Sequence, residues 1–210
     1  MSAGVQPKPT GLIAILRGIT PQEIVSVGSA LAEAGFAAVE VPLNSPEPFE
    51  SIERLAKSVG DVCVVGAGTV LSVDDVIRSE AAGSRIIVSP NTDADVIRAA
   101  VARNLRPYPG AMTPTEAFRA IAAGARNIKL FPADAVGTAG MKAWQAVLPA
   151  EVELLPVGGV NRTNLAAWVA AGAGGAGLGS CLYRPGDGAD IVRGRAVELI
   201  DIWSAEAARN

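Results

Sequence analysis

The chain of 210 residues contains no histidine. That absence removes Ser/His and Cys/His nucleophile pairs, imidazole metal ligands and the commonest general base together. Any catalysis must run on lysine, arginine, carboxylates and hydroxyls. Cysteine is nearly absent too: Cys63 lies in an apolar run and Cys181 follows Gly179 and Ser180, with no CxxC pattern. The two make neither a disulfide framework nor a zinc site and are expected as free thiols. Positive charge is not in excess, because 18 basic and 21 acidic residues leave a formal charge of −3, and no block of like charges occurs. Nucleic acid is therefore not expected as a partner. No apolar run approaches the roughly 18 residues of a membrane span, and the opening MSAGVQPKPT has no basic segment followed by an apolar one. A cytoplasmic location without membrane contact is expected.

What the chain does have is apolar mass, 50% of its residues, in short runs at regular spacing. The runs are LIAILR (12–17), AAVEVPL (37–43), VCVVGAG (62–68), RIIVSP (85–90), LRPYPG (105–110), NIKLFP (127–132), ELLPVGG (153–159) and GAGLGS (175–180). Each is continuous rather than alternating, as in parallel strands covered on both faces. Between them lie helix-period segments such as PQEIVSVGSALAEAG and PTEAFRAIAAGA. Thr20-Pro21-Gln22-Glu23 and Thr113-Pro114-Thr115-Glu116 read as capping boxes, and Gly35, Gly83, Gly124 and Gly172 stand where helix C-terminal caps belong. Eight even βα units in an α/β chain predict a single-domain (β/α)₈ TIM barrel over residues 11–210, after a tail over residues 1–10. A doubly wound open sheet is the competing arrangement.

Barrel enzymes place their chemistry at the C-terminal ends of the strands. There the sequence sets Lys129 between Ile128 and Leu130, in what otherwise reads as a buried strand. Either its stem packs and its head reaches solvent, or a desolvated amine acts as a Schiff-base nucleophile. Glu40, in AAVEVPL, is an acid in an equally apolar run: a proton carrier with a raised pKa, or one half of a buried ion pair. Arg17 can grip a carboxylate or phosphate bidentately, or merely pair with Glu40. Thr69, in the turn after GAG, can offer a hydroxyl to a small anion. Gly158 and Gly159 of VGGV, with Gly179 and Ser180 of LGS, fall where the last two strands of such barrels form phosphate sites, although ordinary tight turns look the same. With no metal cluster and no Rossmann glycine pattern, neither a metal nor a nucleotide cofactor is inferred.

In order and spacing, AILRGITPQE, AVEVPLNSP, GAGTVL, SPN, NIKLFPA, PVGGVN and GAGLGSCLYR resemble the class I aldolases for 2-keto-3-deoxy-6-phospho sugar acids, from about Leu12 to Trp203. Gluconate-type members carry a Thr-Leu-Arg-Thr stretch after the strand 2 glutamate. This chain reads VPLNS, with Asn44 in place of the arginine, as in the galactonate-type branch. The resemblance implies Lys129 as the Schiff-base lysine, Glu40 as the proton shuttle, and Arg17 and Thr69 as substrate contacts. It implies Gly158, Gly159, Gly179 and Ser180 as phosphate binders. It further implies a homotrimer that cleaves a phosphorylated keto-deoxy sugar acid to pyruvate and glyceraldehyde 3-phosphate without a cofactor. A gluconate-type or 4-hydroxy-2-oxoglutarate aldolase shares this chemistry. A sugar-phosphate isomerase or epimerase, or a non-catalytic phosphate-binding barrel, shares only the scaffold.

Overall fold

The computed structural model describes residues 11–209. The expected tail over residues 1–10 lies outside the described residues. Strands and helices alternate along the chain: β1 (Gly11–Ile15), α1 (Ile24–Glu33), β2 (Ala38–Pro42), α2 (Pro48–Val59), β3 (Val64–Gly68), α3 (Val73–Ala81), β4 (Ile86–Val88), α4 (Ala94–Ala102) and β5 (Arg106–Tyr108). They continue as β6 (Gly110–Ala111), α5 (Pro114–Ala122), β7 (Asn127–Leu130), α6 (Ala133–Gln145), β8 (Glu153–Pro156), α7 (Leu165–Ala170), β9 (Gly175–Leu178) and α8 (Ala189–Ala207).

All strand pairs are parallel, in a six-stranded sheet ordered β5-β4-β3-β2-β1-β9 and a three-stranded sheet ordered β6-β7-β8. A bridge between Val157 and Gly177 joins β8 to β9. The result is a curled, TIM-barrel-like α/β fold. The run LRPYPG, expected as one strand, is divided into β5 and β6 at Pro109, which has no N–H to give to a ladder. The Tyr108 carbonyl still accepts from Ser89 N–H on the β4 side (3.1 Å), while the Pro109 carbonyl accepts from Lys129 N–H on the β7 side (2.9 Å). The chain thus changes neighbours within two residues.

Helix boundaries follow the local chemistry. Thr113 caps α5 in a reciprocal box with Glu116. Gly35, Gly83, Gly124 and Gly172 all take positive φ, between 89° and 110°, just past helix ends, where a Cβ would be strained. The box expected at Thr20 differs. There the threonine hydroxyl donates to Glu23 Oε2 (2.6 Å) across a turn, and the α-helix begins only at Ile24.

The apolar residues separate into two cores. Alternate strand residues, including Leu12, Val39, Val41, Ile128 and Leu130, pack outward under the helices. Ile13, Ala38, Ile86, Val88, Tyr108 and Leu155 form a smaller cluster inside the curl. No helix among the described residues is long and apolar enough to cross a membrane.

Candidate active site

Strand alternation explains the polar residues buried in apolar runs. On β7, Ile128 and Leu130 are fully buried in the outer core, so Lys129 between them turns to the opposite face. On β2, Val39 and Val41 do the same and turn Glu40 inward. Both inward groups line one small interior cavity, floored by Ile13, Val88, Tyr108 and Leu155. Lys129 is 7% exposed and Glu40 only 2%, so neither side chain escapes to solvent. The structural alternative for Lys129, a head that snorkels to water, is not what is found.

Burial sets the electrostatics. It drives the Lys129 ammonium below the usual lysine range; the Glu40 charge opposes this and the Arg17 charge adds to it. Burial also raises the Glu40 carboxyl from 4.5 to about 7, against the pull of Lys129 and Arg17. Glu40 Oε2 is buried and has no hydrogen-bond partner among the described residues. The Lys129 amine lies 4.5 Å from the centre of the Phe131 ring, whose flat face covers it. A poorly solvated amine and an acid titrating near neutrality, each acting on the other's charge, can form an imine and move protons around it.

Above this interior opens a cavity of about 580 Å³, shared by the loops after β1, β7, β8 and β9. Arg17, Lys129, Gly158, Gly159, Gly179 and Ser180 all line it. Arg17 is exposed and donates to Asn44 Oδ1 at 2.6 Å rather than pairing with Glu40. The next residues repeat the link, with Gly18 N–H donating to Ser45 Oγ at 2.9 Å, so the β1 and β2 loops are tied twice. Gly158 and Gly159 take φ of 95° and 75°, a backbone course that favours glycine. The N–H groups of Gly159, Gly179 and Ser180 have no hydrogen-bond partner among the described residues, while Gly158 follows the residue that bridges β8 to β9. Three free donors on one cavity suit an oxyanion.

Thr69 stands apart. It follows β3 at the same end of the sheet but is not among the residues lining either cavity, and it holds φ of 56°, unusual for a β-branched residue. Ser89 of SPN is buried and donates to the Val70 carbonyl (2.8 Å), bracing the same turn. Both cysteines are free thiols; Cys63 is buried, and burial pushes it up to about 12, whereas Cys181 lines the larger cavity.

The family described as "KDPG and KHG aldolase" matches residues 6–192 of this chain. The chain belongs to that family. Its members are aldolases, so this protein is a carbon–carbon lyase. The chain is 47% identical over 199 residues to the probable 2-dehydro-3-deoxy-6-phosphogalactonate aldolase of Rhizobium meliloti (strain 1021), covering 95% of this chain and 94% of that one. It is 46% identical over 192 residues to the 2-dehydro-3-deoxy-6-phosphogalactonate aldolase of Escherichia coli (strain K12), covering 91% and 94%. Among solved structures, "Native KDPGal structure" superposes with a TM-score of 0.92 at 45% identity, covering 95% of this chain and 96% of that one.

One site feature of this aldolase is invisible from the sequence. A Cβ placed on Gly68 would meet Glu40 Oε2, Cδ and Oε1 before any other atom, so the glycine is the seat of the carboxylate. Only the β2–β3 register, Glu40 opposite Gly66 and Pro42 opposite Gly68, brings the two together. The sequence shows a glycine-rich turn there and nothing more specific.

Proposed function

We propose that this aldolase cleaves 2-dehydro-3-deoxy-6-phospho-D-galactonate to pyruvate and D-glyceraldehyde 3-phosphate through a Schiff base on Lys129. The observation that carries the reading is the pairing, in one buried cavity, of a lysine depressed by burial with a glutamate raised to about 7. The neutral Lys129 amine attacks the C2 ketone, water leaves, and the protonated imine becomes an electron sink. Glu40, directly or through a water, takes the C4 hydroxyl proton. The C3–C4 bond breaks, its electron pair moves toward the imine nitrogen, and glyceraldehyde 3-phosphate departs. The enamine left on Lys129 is then protonated at C3 with help from Glu40, and hydrolysis releases pyruvate and the free amine.

Arg17 binds the C1 carboxylate, and the loops carrying Gly158, Gly159, Gly179 and Ser180 bind the phosphate. Thr69 contacts substrate from the rim once substrate is bound. No cofactor takes part. The galactonate-type substrate is favoured by Asn44 and by the 46–47% identity to relatives bearing that name. The bridge at Val157–Gly177 and the unbroken chain through Pro109 support reading the two sheets as one closed (β/α)₈ barrel, forming one domain over residues 11–210. A homotrimer in the cytoplasm completes the proposal. Exposed apolar side chains such as Leu71, Ile77, Met112 and Phe118 suit burial between subunits.

The test is kcat/KM for the two C4 epimers, 2-dehydro-3-deoxy-6-phosphogalactonate and 2-dehydro-3-deoxy-6-phosphogluconate, beside 4-hydroxy-2-oxoglutarate. A clear preference for the galactonate epimer is expected. Preference for either rival substrate would overturn the assignment while leaving the Schiff-base chemistry intact.

A further inference from the structure

The proposed substrate carries two anionic ends, a carboxylate on C1 and a phosphate on C6, and the cavity must answer both. Three basic residues line it: Arg17, Lys129 and Arg184. Lys129 is committed to the imine and works as a neutral amine. Arg17 is held toward the β2 side of β1 by Asn44, and its charge acts on both Lys129 and Glu40. That places it with the reacting carbons, where the carboxylate is bonded directly to C2. The phosphate is four carbons further on and needs a different partner.

The backbone donors of Gly159, Gly179 and Ser180 can hydrogen-bond a phosphate but carry no net charge. A cation placed beside such neutral donors adds charge-assisted hydrogen bonds, which are roughly twice as strong as neutral ones. Arg184 stands at the same loop. It follows β9, which flanks β1 on the side away from β2. Its Nε donates to the Ser180 carbonyl at 3.3 Å, which leaves the terminal nitrogens of the guanidinium for a ligand. The neighbouring acid, Asp187, is engaged elsewhere: its carboxylate pairs directly with Arg195 (2.5 Å) and accepts from the Arg184 backbone N–H (2.9 Å), and it feels the Arg184 charge without a direct contact to that side chain. Arg184 forms no ion pair among the described residues.

We propose that Arg184 supplies the positive charge of the phosphate subsite, binding the C6 phosphate beside the backbone donors of the β8 and β9 loops. The inference rests on the aldolase reading above. It divides the work of the two arginines: Arg17 reads the carboxylate and Arg184 reads the phosphate.

The experiment compares the wild-type enzyme with Arg184→Gln and Arg184→Lys. It measures kcat and KM on the phosphorylated substrate and on the same sugar acid without phosphate, with borohydride trapping of pyruvate as a reaction that involves no phosphate. For Arg184→Gln the KM for the phosphorylated substrate should rise about tenfold or more, the cost of losing a charge-assisted hydrogen bond. Trapping by pyruvate and kcat/KM on the unphosphorylated acid should hold, and Arg184→Lys should recover part of the loss. An unchanged KM, or an equal loss on both substrates, would overturn the assignment. If the wild-type protein itself traps no pyruvate, the aldolase reading fails first and this proposal falls with it.

Discussion

Substituting Gly68 by alanine tests whether the fold was shaped around the Glu40 carboxylate. Gly68 ends β3 with no positive φ, so alanine suits the backbone. The added methyl would overlap Oε2 and Cδ of Glu40 and stand 2.5 Å from Oε1; the three nearest atoms all belong to that one side chain. Glu40 is 2% exposed and cannot swing into solvent, so it must leave its rotamer inside the cavity. Overpacking of this kind costs about 1–3 kcal/mol. At about 2–4 °C per kcal/mol for a chain of this size, Tm should fall by about 2–12 °C. The effect on turnover should be larger, because a displaced proton carrier forfeits much of the about 10²–10⁴-fold that general acid–base catalysis contributes. Pyruvate release, followed by coupled reduction with lactate dehydrogenase, should show kcat down by about a hundredfold. On a Glu40→Ala background the same Gly68→Ala change should have almost no further effect, since the two sites act as a unit. A Gly68→Ala enzyme with normal kcat, or an equal loss in both backgrounds, would mean that Gly68 does not make room for the Glu40 carboxylate.

Two further predictions concern charge. Burial holds the Glu40 proton to about pH 7 in the folded protein, whereas the unfolded chain releases it near 4.5. Between those values the unfolded state binds fewer protons, so stability contributed by Glu40 falls as pH rises, by about 3 kcal/mol at about 1.4 kcal/mol per pH unit. The Tm of Glu40→Gln relative to wild type should therefore climb from about pH 5 to about pH 8, and a constant difference would contradict it. Asn44→Ala should release Arg17 from its 2.6 Å hydrogen bond and raise the pyruvate concentration needed for half-maximal trapping, with little change in Tm because the pair is exposed. An unaltered saturation curve would mean that Asn44 does not position Arg17.

Much of this arrangement is legible in the sequence, where one residue type breaks a pattern. Lys129 and Glu40 stand out because each interrupts an apolar run, and strand alternation then turns both inward. Glycines at helix ends are legible because only the left-handed backbone explains them at those positions. Features that depend on which strands or loops become neighbours are not. Nothing in LRPYPG announces that the chain changes partners at Pro109, because the switch follows from what β4 and β7 offer on either side. Arg17 reaches Asn44 across 27 residues, and Gly68 makes room for a carboxylate on another strand. The helix expected from Thr20 starts later because the threonine hydroxyl donates to Glu23 across a turn, leaving the first N–H groups of α1 without a side-chain cap.

Lys129 is buried so that its amine is available as a nucleophile. The direct measurement is borohydride reduction of the folded protein with pyruvate, followed by intact and peptide mass spectrometry, with Lys129→Ala as the control. A stable pyruvyl adduct on Lys129 that the control lacks is expected. Concentrated, folded protein that traps nothing, or an adduct carried by another lysine, would contradict it.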